Sequence, residues 1–400
     1  ATAPAPWAPQ GPSRTWYLAE GCACPPFDTS FLITNPHEAK ATVTARFMKE
    51  DGASLDGQYQ VPARSRLRVP PLPEAAGAAF STVIDSDQPV FVQRFISMAL
   101  TGRLASGVNA PSRAWFLAEG RTGEGFDTWL LLMNPNAEPA KATITFFVEN
   151  GGPIEQSYYL LPTSRLSLYV NWLLPFAAFG VRVEASQPIV VERAMYFAEG
   201  GSHGAMGSTL ASNTWYLPDV DTRPGTDSWV LIANPNAQAA SLTLALVTDQ
   251  GATVKGSYSV PASSRLTLYA NEIMPRASGF ATVQADLPVV VARSTYWMGG
   301  RAGYSSPGVP ATARSWSFAQ AIPPAPSQEL LSAVNPGPNP ARLIVSFLVE
   351  NGDTLGNTYN VAPGSRLVLD PKAVAPPQAL TMNLESDVPV AVERAVYPSR

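Results

Sequence analysis

The sequence predicts an all-β protein of four tandem immunoglobulin-like β-sandwich modules, each of about seven strands. Three observations lead there. One unit of about a hundred residues occurs four times. Within each unit apolar and polar residues alternate with a period of two, the mark of strands with one buried face. No stretch carries three turns of helical periodicity.

The repeat is read from fixed landmarks. Trp16, Trp115, Trp215 and Trp316 stand in TWYLAEG, AWFLAEG, TWYLPDV and SWSFAQA, at intervals of 99, 100 and 101 residues. The same intervals separate the Asn-Pro pairs at Asn35, Asn134, Asn234 and Asn335, and the glycines Gly52, Gly151, Gly251 and Gly352. They also separate Arg66, Arg165, Arg265 and Arg366, and the late arginines Arg94, Arg193, Arg293 and Arg394. The modules therefore span 15–97, 114–196, 214–296 and 315–400, after a Pro-rich arm of residues 1–14. The segments between them, 98–113, 197–213 and 297–314, are rich in Gly, Ser, Ala and Pro and read as linkers. All length variation falls in these segments, as expected of folded modules on linkers. Structureless stretches of this length are uncommon in a compact domain, so an alternative is that they lie along the modules and bridge them. A four-bladed propeller competes, because four all-β units can close a ring, but a blade is four strands in about 40–50 residues.

In module 1 the first strand, 15–20, carries the tryptophan. The second, 28–34, runs into the Asn-Pro turn. The third, 41–49, alternates Val43, Ala45 and Phe47 with polar neighbours and ends at Glu50-Asp51-Gly52, where Gly supplies the positive φ of a tight hairpin turn. The return strand, 55–62, holds Tyr59. Next comes 65–70, with Leu67 and Val69 inward and Arg66 and Arg68 outward. Strands at 79–85 and 90–97 complete the unit, the last opened by Pro89, since a strand start can spare one donor. Seven short strands in about 82 residues read as an immunoglobulin-like sandwich.

The run WFLAEGRTGEGFDTWLLLMNPN, followed by PTSRL and QPIVVERAMY, resembles a tandem repeat common in bacterial secreted and cell-surface proteins. The four copies cover 328 of 400 residues. The resemblance implies an extracellular β-sandwich module of accessory or surface type and brings no catalytic residues with it. Copy 4 departs most, with Gln320 in place of the Glu of AEG and Gln328-Glu329-Leu330 in place of Asp-Thr-Trp. Terminal repeats are often atypical because one face meets something different.

Charged residues are 14% of the chain, against about 25% on average. The net charge is −4, so there is no basic footprint for nucleic acid. No apolar run is long enough to span a membrane. The opening ATAPAPWAP reads as a mature end left by a signal peptidase, which places the protein outside the cell or on its surface.

A catalytic set is absent from the sequence. His37 and His203 lie in different modules, His203 reading as a loop residue, and no nucleophile motif accompanies either. Neither a cofactor nor a metal is expected: Asp219, Asp221 and Asp227 are the densest acidic group, without calcium-loop spacing. The repeated tryptophans are expected in the sandwich core. Arg94 and its equivalents share the parity of core valines and need buried partners, for which Glu20 and Glu119 are candidates, with Asp219 and Gln320 at the same position of the later copies. Cys22 and Cys24 are the two cysteines. In an oxidising exterior they bridge locally, stay free or pair with another chain, and the lack of any other cysteine favours the local bridge.

The reading that follows is a non-catalytic structural protein, a surface-layer or filament subunit. The alternative is an adhesin or carbohydrate-binding protein using Trp172 and Trp297 against cell-surface glycans. Self-association is expected head to tail: the edge of the last strand of module 4 lacks a following connector, and a neighbour's arm could dock there through Trp7.

Overall fold

The computed structural model describes residues 11–98, 101–197, 200–319, 327–376 and 378–398. The architecture is all-β, with four similar modules in tandem whose strand sets hold seven, eight, seven and six strands among the described residues. In module 1 these are β1 (Ser13–Leu18), β2 (Phe27–Asn35), β3 (Ala41–Met48), β4 (Ser54–Val61), β5 (Ser65–Val69), β6 (Ser81–Met98) and β7 (Thr101–Ser106).

One strand serves both layers of the sandwich. The first part of β6 pairs with β3 and β1. Its second part pairs with β2 and β7. The strands expected at 79–85 and 90–97 are thus a single bent strand. The bend lies around Pro89, where pairing with β1 jumps from Thr15–Asp85 to Ser13–Val90. Here β6 has left β3 and not yet joined β2, so the missing proline donor costs no ladder bond. Between the layers lie Trp16, Leu18, Phe31, Ile33, Val43, Phe47, Ile84 and Val92. The indole Nε1 of Trp16 donates to Val90 O at 2.7 Å, so this large side chain is buried with its one donor satisfied.

The Asn-Pro landmark is a clamp. Asn35 Nδ2 donates to Ala39 O and Pro62 O, and its Oδ1 accepts from His37 N. Asn134, Asn234 and Asn335 repeat these bonds. Gly52, Gly251 and Gly352 take φ values of 83°, 86° and 93° at the hairpin turn, whereas in module 2 Asn150 takes that role at 59°.

The segments read as linkers contain strands. β7 and its equivalents Gly201–Met206 and Ala302–Pro307 pair with the long strand of their own module. Val108, Ser208 and Val309 then bridge Tyr17, Phe116 and Tyr216 before the chain enters the next module. The small residues that suggested loops are required by close approach. A Cβ on Gly207 would lie 3.0 Å from the Trp115 ring, and one on Gly308 would lie 2.9 Å from the Trp215 ring.

The modules close into a ring. The acidic residue that begins each hairpin turn reaches the SRL strand of the next module. Glu50 accepts from Ser167 N at 3.0 Å and Glu149 accepts from Thr267 N at 2.8 Å. Asp249 binds Arg366 at 2.7 Å, and Glu350 returns to Arg66 of module 1 at 3.7 Å. Apolar packing follows the same cycle: Ala19 and Met48 join the core of module 2, Ala118 and Phe147 that of module 3, Phe280 that of module 4, and Ala319 that of module 1. The SRL arginines, outward within their own module, are therefore covered by the preceding one.

Candidate functional site

Buried arginines and their acidic partners gather at the seams between modules. Arg165 Nη1 donates to Gly21 O (2.8 Å) and Phe80 O (2.6 Å) of module 1, and Arg265 repeats this on Gly120 O and Phe179 O of module 2. A guanidinium suits this position because Nη1 alone donates to two carbonyls while Nη2 donates to the hydroxyl of Ser167 or Thr267.

The late arginines Arg94, Arg193 and Arg293 are 1% exposed. Arg94 pairs with Glu20 at 2.9 Å and with Glu192 of module 2 at 2.8 Å. Arg193 pairs with Glu119 at 2.7 Å, and Ser305 of the third inner segment donates to the same carboxylate at 2.6 Å. Arg293 contacts Asp219 at 3.7 Å and Glu393 of module 4 at 2.6 Å. Arg394 is held instead by Glu329 at 2.6 Å. Copy 4, which has Gln at the usual acidic position, thus supplies its carboxylate from the strand where copies 2 and 3 carry Thr128 and Ser228. Glu192 and Glu393 precede their own arginines and serve those of the neighbouring modules, a role with no signal in the residue pattern.

His203 is a buried strand residue, not a loop residue. Its Nε2 lies 3.0 Å from Tyr296 Oη and 3.7 Å from Glu119. Burial pushes its pKa down to about 3, against the pull of Glu119, so the ring is neutral at pH 7. Burial also raises the Glu119 carboxyl, but Arg193 and the hydroxyl donors outweigh it and hold the pKa at about 2. His37 lies far off in sequence at the module 1 clamp, its Nε2 2.9 Å from Pro89 O.

The three aspartates have separate partners. Asp219 binds Arg366, Asp221 binds Arg223 and Asp227 accepts from Tyr269 Oη. No metal-competent group of three or more His, Cys, Asp or Glu occurs among the described residues. Cys22 and Cys24 are joined in a disulfide with their Cα atoms 5.3 Å apart. Trp7 lies outside the described residues.

The two candidate glycan-platform tryptophans differ. Trp297 is 3% exposed and packs with Ala302 and Ala395, so it offers no face to a ligand. Trp172 is 83% exposed. It continues a row of rings on module 2, with Tyr169 5.5 Å away and Trp129 4.8 Å beyond that. Phe176, a few residues on, is 79% exposed. Among the described residues, no helix is long and apolar enough to cross a membrane.

No protein-family model and no curated protein matches the chain. Among solved structures, Thermotoga maritima 1070 is 21% identical over 24% of this chain and 93% of its own, with a TM-score of 0.23. The Anabaena sensory rhodopsin transducer is 27% identical over 21% of this chain and 83% of its own, with a TM-score of 0.19. The tetra-tandem repeat in the extending region of a large adhesion protein is 12% identical over 92% of this chain and 93% of its own, with a TM-score of 0.14.

Proposed function

We propose that this chain is a non-catalytic structural protein of the bacterial cell exterior that works as one preassembled ring. The observation that carries the reading is the cyclic set of acid-to-SRL contacts, from Glu50, Glu149, Asp249 and Glu350 to the next module in turn. Its most demanding chemistry, buried arginine–carboxylate pairing, is spent on holding modules together. The ring is the building block, and assembly into a layer or filament takes place through its outer surfaces. Labelling intact cells with an antibody to the ring, then imaging released particles, tests this. Surface label and compact ring-shaped particles are expected; label seen only after lysis overturns it.

A second reading, a glycan-binding surface protein, is favoured by the exposed Trp172 at the end of a row of rings. The exposed face of an aromatic ring suits the apolar face of a sugar ring. A glycan array read with the protein and with Trp172→Ala tests it. Binding lost in the variant supports it, and no binding by either overturns it.

A further inference from the structure

A cavity of about 360 Å³ lies at the seam between modules 2 and 3. Glu119, Arg121 and Phe126 of module 2 line it together with Asp227, Trp229 and Tyr296 of module 3. Three of these six are aromatic. Phe126 and Tyr296 meet edge to face, their ring centroids 6.1 Å apart. Trp229 is backed by Tyr269, with 4.4 Å between ring centroids. All three lining rings are half-buried, so each keeps surface that a ligand can cover.

The charges of the lining leave one carboxylate over. Glu119 is balanced by Arg193 at 2.7 Å, and Arg121 by Glu124. Arg265 spends its Nη atoms on Gly120 O, Phe179 O and Thr267 Oγ1, with Glu149 3.7 Å away. Asp227 is exposed and in no ion pair among the described residues; its carboxylate accepts from the neutral phenol of Tyr269.

The seam between modules 1 and 2 repeats these walls, with Phe27, Trp129 and Tyr196 around a cavity of about 330 Å³. There the chain supplies its own cation. Arg103 lies over the Tyr196 ring at 5.3 Å and pairs with Glu20. Its counterpart in the next inner strand is His203, since Arg103 faces Ile96 as His203 faces Met195. His203 is neutral at pH 7. Among the described residues Arg121 lies over Phe126 at 5.5 Å, but no arginine or lysine lies over Trp229 or Tyr296. The second seam keeps the rings and lacks the cation that covers the tyrosine of the first.

We propose that the cavity between modules 2 and 3 binds a quaternary ammonium group among the rings of Phe126, Trp229 and Tyr296, with Asp227 as its counter-ion. Aromatic rings attract a cation through their quadrupole, and most strongly where water is excluded. A primary ammonium fits less well, because it brings three N–H donors. The nearby acceptors are already engaged: Glu119 takes Arg193 and Ser305, and Tyr296 Oη lies between Glu119 and His203. A methylated nitrogen needs no acceptor. A neutral polyol would leave Asp227 uncompensated, and an anion would be repelled by it. Free choline and the choline headgroup of a lipid share this chemistry.

Calorimetric titration of the full chain with choline at low salt is expected to show saturable binding at one site per chain. 3,3-Dimethylbutan-1-ol, which has the same shape without the charge, is expected to bind at least about tenfold more weakly. Asp227→Asn is expected to weaken choline binding about tenfold, and Trp229→Ala to abolish it. Asp227 is exposed, so Asp227→Asn carries the test if Trp229→Ala fails to fold. Trp172→Ala, which removes the outer ring of the glycan reading, should leave choline binding unchanged. Four results overturn the inference: no saturable choline binding, equal binding of the neutral analogue, unchanged binding in Asp227→Asn, or loss in Trp172→Ala. Phosphatidylcholine vesicles separate the two sources. Co-sedimentation that Asp227→Asn removes identifies a lipid headgroup, and binding of choline without co-sedimentation identifies a free solute; both uphold the inference.

Discussion

Arg394 and Glu329 show how one residue change is answered by another in a buried site. A buried guanidinium needs a carboxylate, and removing one partner of such a pair costs about 3–5 kcal/mol. Glu329→Thr, which restores the type found in module 2, is therefore expected to lower unfolding stability by about 3 kcal/mol. Thr128→Glu in module 2, where Glu119 already serves Arg193, would add a second buried acid and also destabilise; chemical denaturation reads both. The pair His203 and Glu119 sets the acid response. His203 has a folded pKa of about 3, below its ordinary value of 6.5, so the unfolded chain takes up the proton first and stability falls as pH drops below 6.5. Glu119, held at about 2, contributes stability above pH 4.5 that is lost toward pH 2. In His203→Gln the decline between pH 6.5 and 4.5, at most about 1.4 kcal/mol per pH unit from this group, is expected to flatten. The steeper loss below pH 4.5 should stay, and thermal melts across that range check both parts.

At the level of elements, the Asn-Pro turn is a folding instruction that the sequence states openly. Asn134 is fully buried, and its side chain satisfies two carbonyls and one amide. Asn134→Ala strands all three and is expected to cost about 3 kcal/mol, against under 1 kcal/mol for Asn357→Ala on an exposed strand. Equilibrium unfolding separates them. The long strand was harder to read. Pro89 looked like a strand start because a missing donor is tolerated there, and a bend between two layers tolerates it for the same reason. In the inner segments Gly, Ser and Ala signal loops, whereas at the axis they are what lets a strand pass against Trp115 and Trp215, in line with the alternative that these segments lie along the modules.

For the whole molecule, closure is the property with the largest consequence. Four 100-residue bodies on flexible spacers would scatter as an extended string. The ring should instead give a radius of gyration near the value of about 21 Å expected of one compact 400-residue body. Small-angle scattering distinguishes this from a string well above ~30 Å. Salt should have little effect on the seams held by Arg165 and Arg265, which are buried against backbone carbonyls. The closing contact of Glu350 with Arg66 is half exposed, so a radius that grows with salt would place the opening there.

The sequence alone determined the module and its number. Period-two alternation, turn glycines and the repeated Trp, Asn-Pro and Arg positions are local signals, each dictated by chemistry within one unit. Trp172 as an exposed ring and the need of Arg94 for an acid were legible for the same reason. Only the tertiary structure decided what lies between units. The partners of Arg165, Glu192 and Glu350 are in other modules, and no local pattern tells an arginine facing water from one facing a neighbour's carbonyls. Burial of His203 and Trp297, and closure from module 4 back to module 1, follow from that packing. They depend on where four rigid bodies meet in space, which residue spacing does not encode.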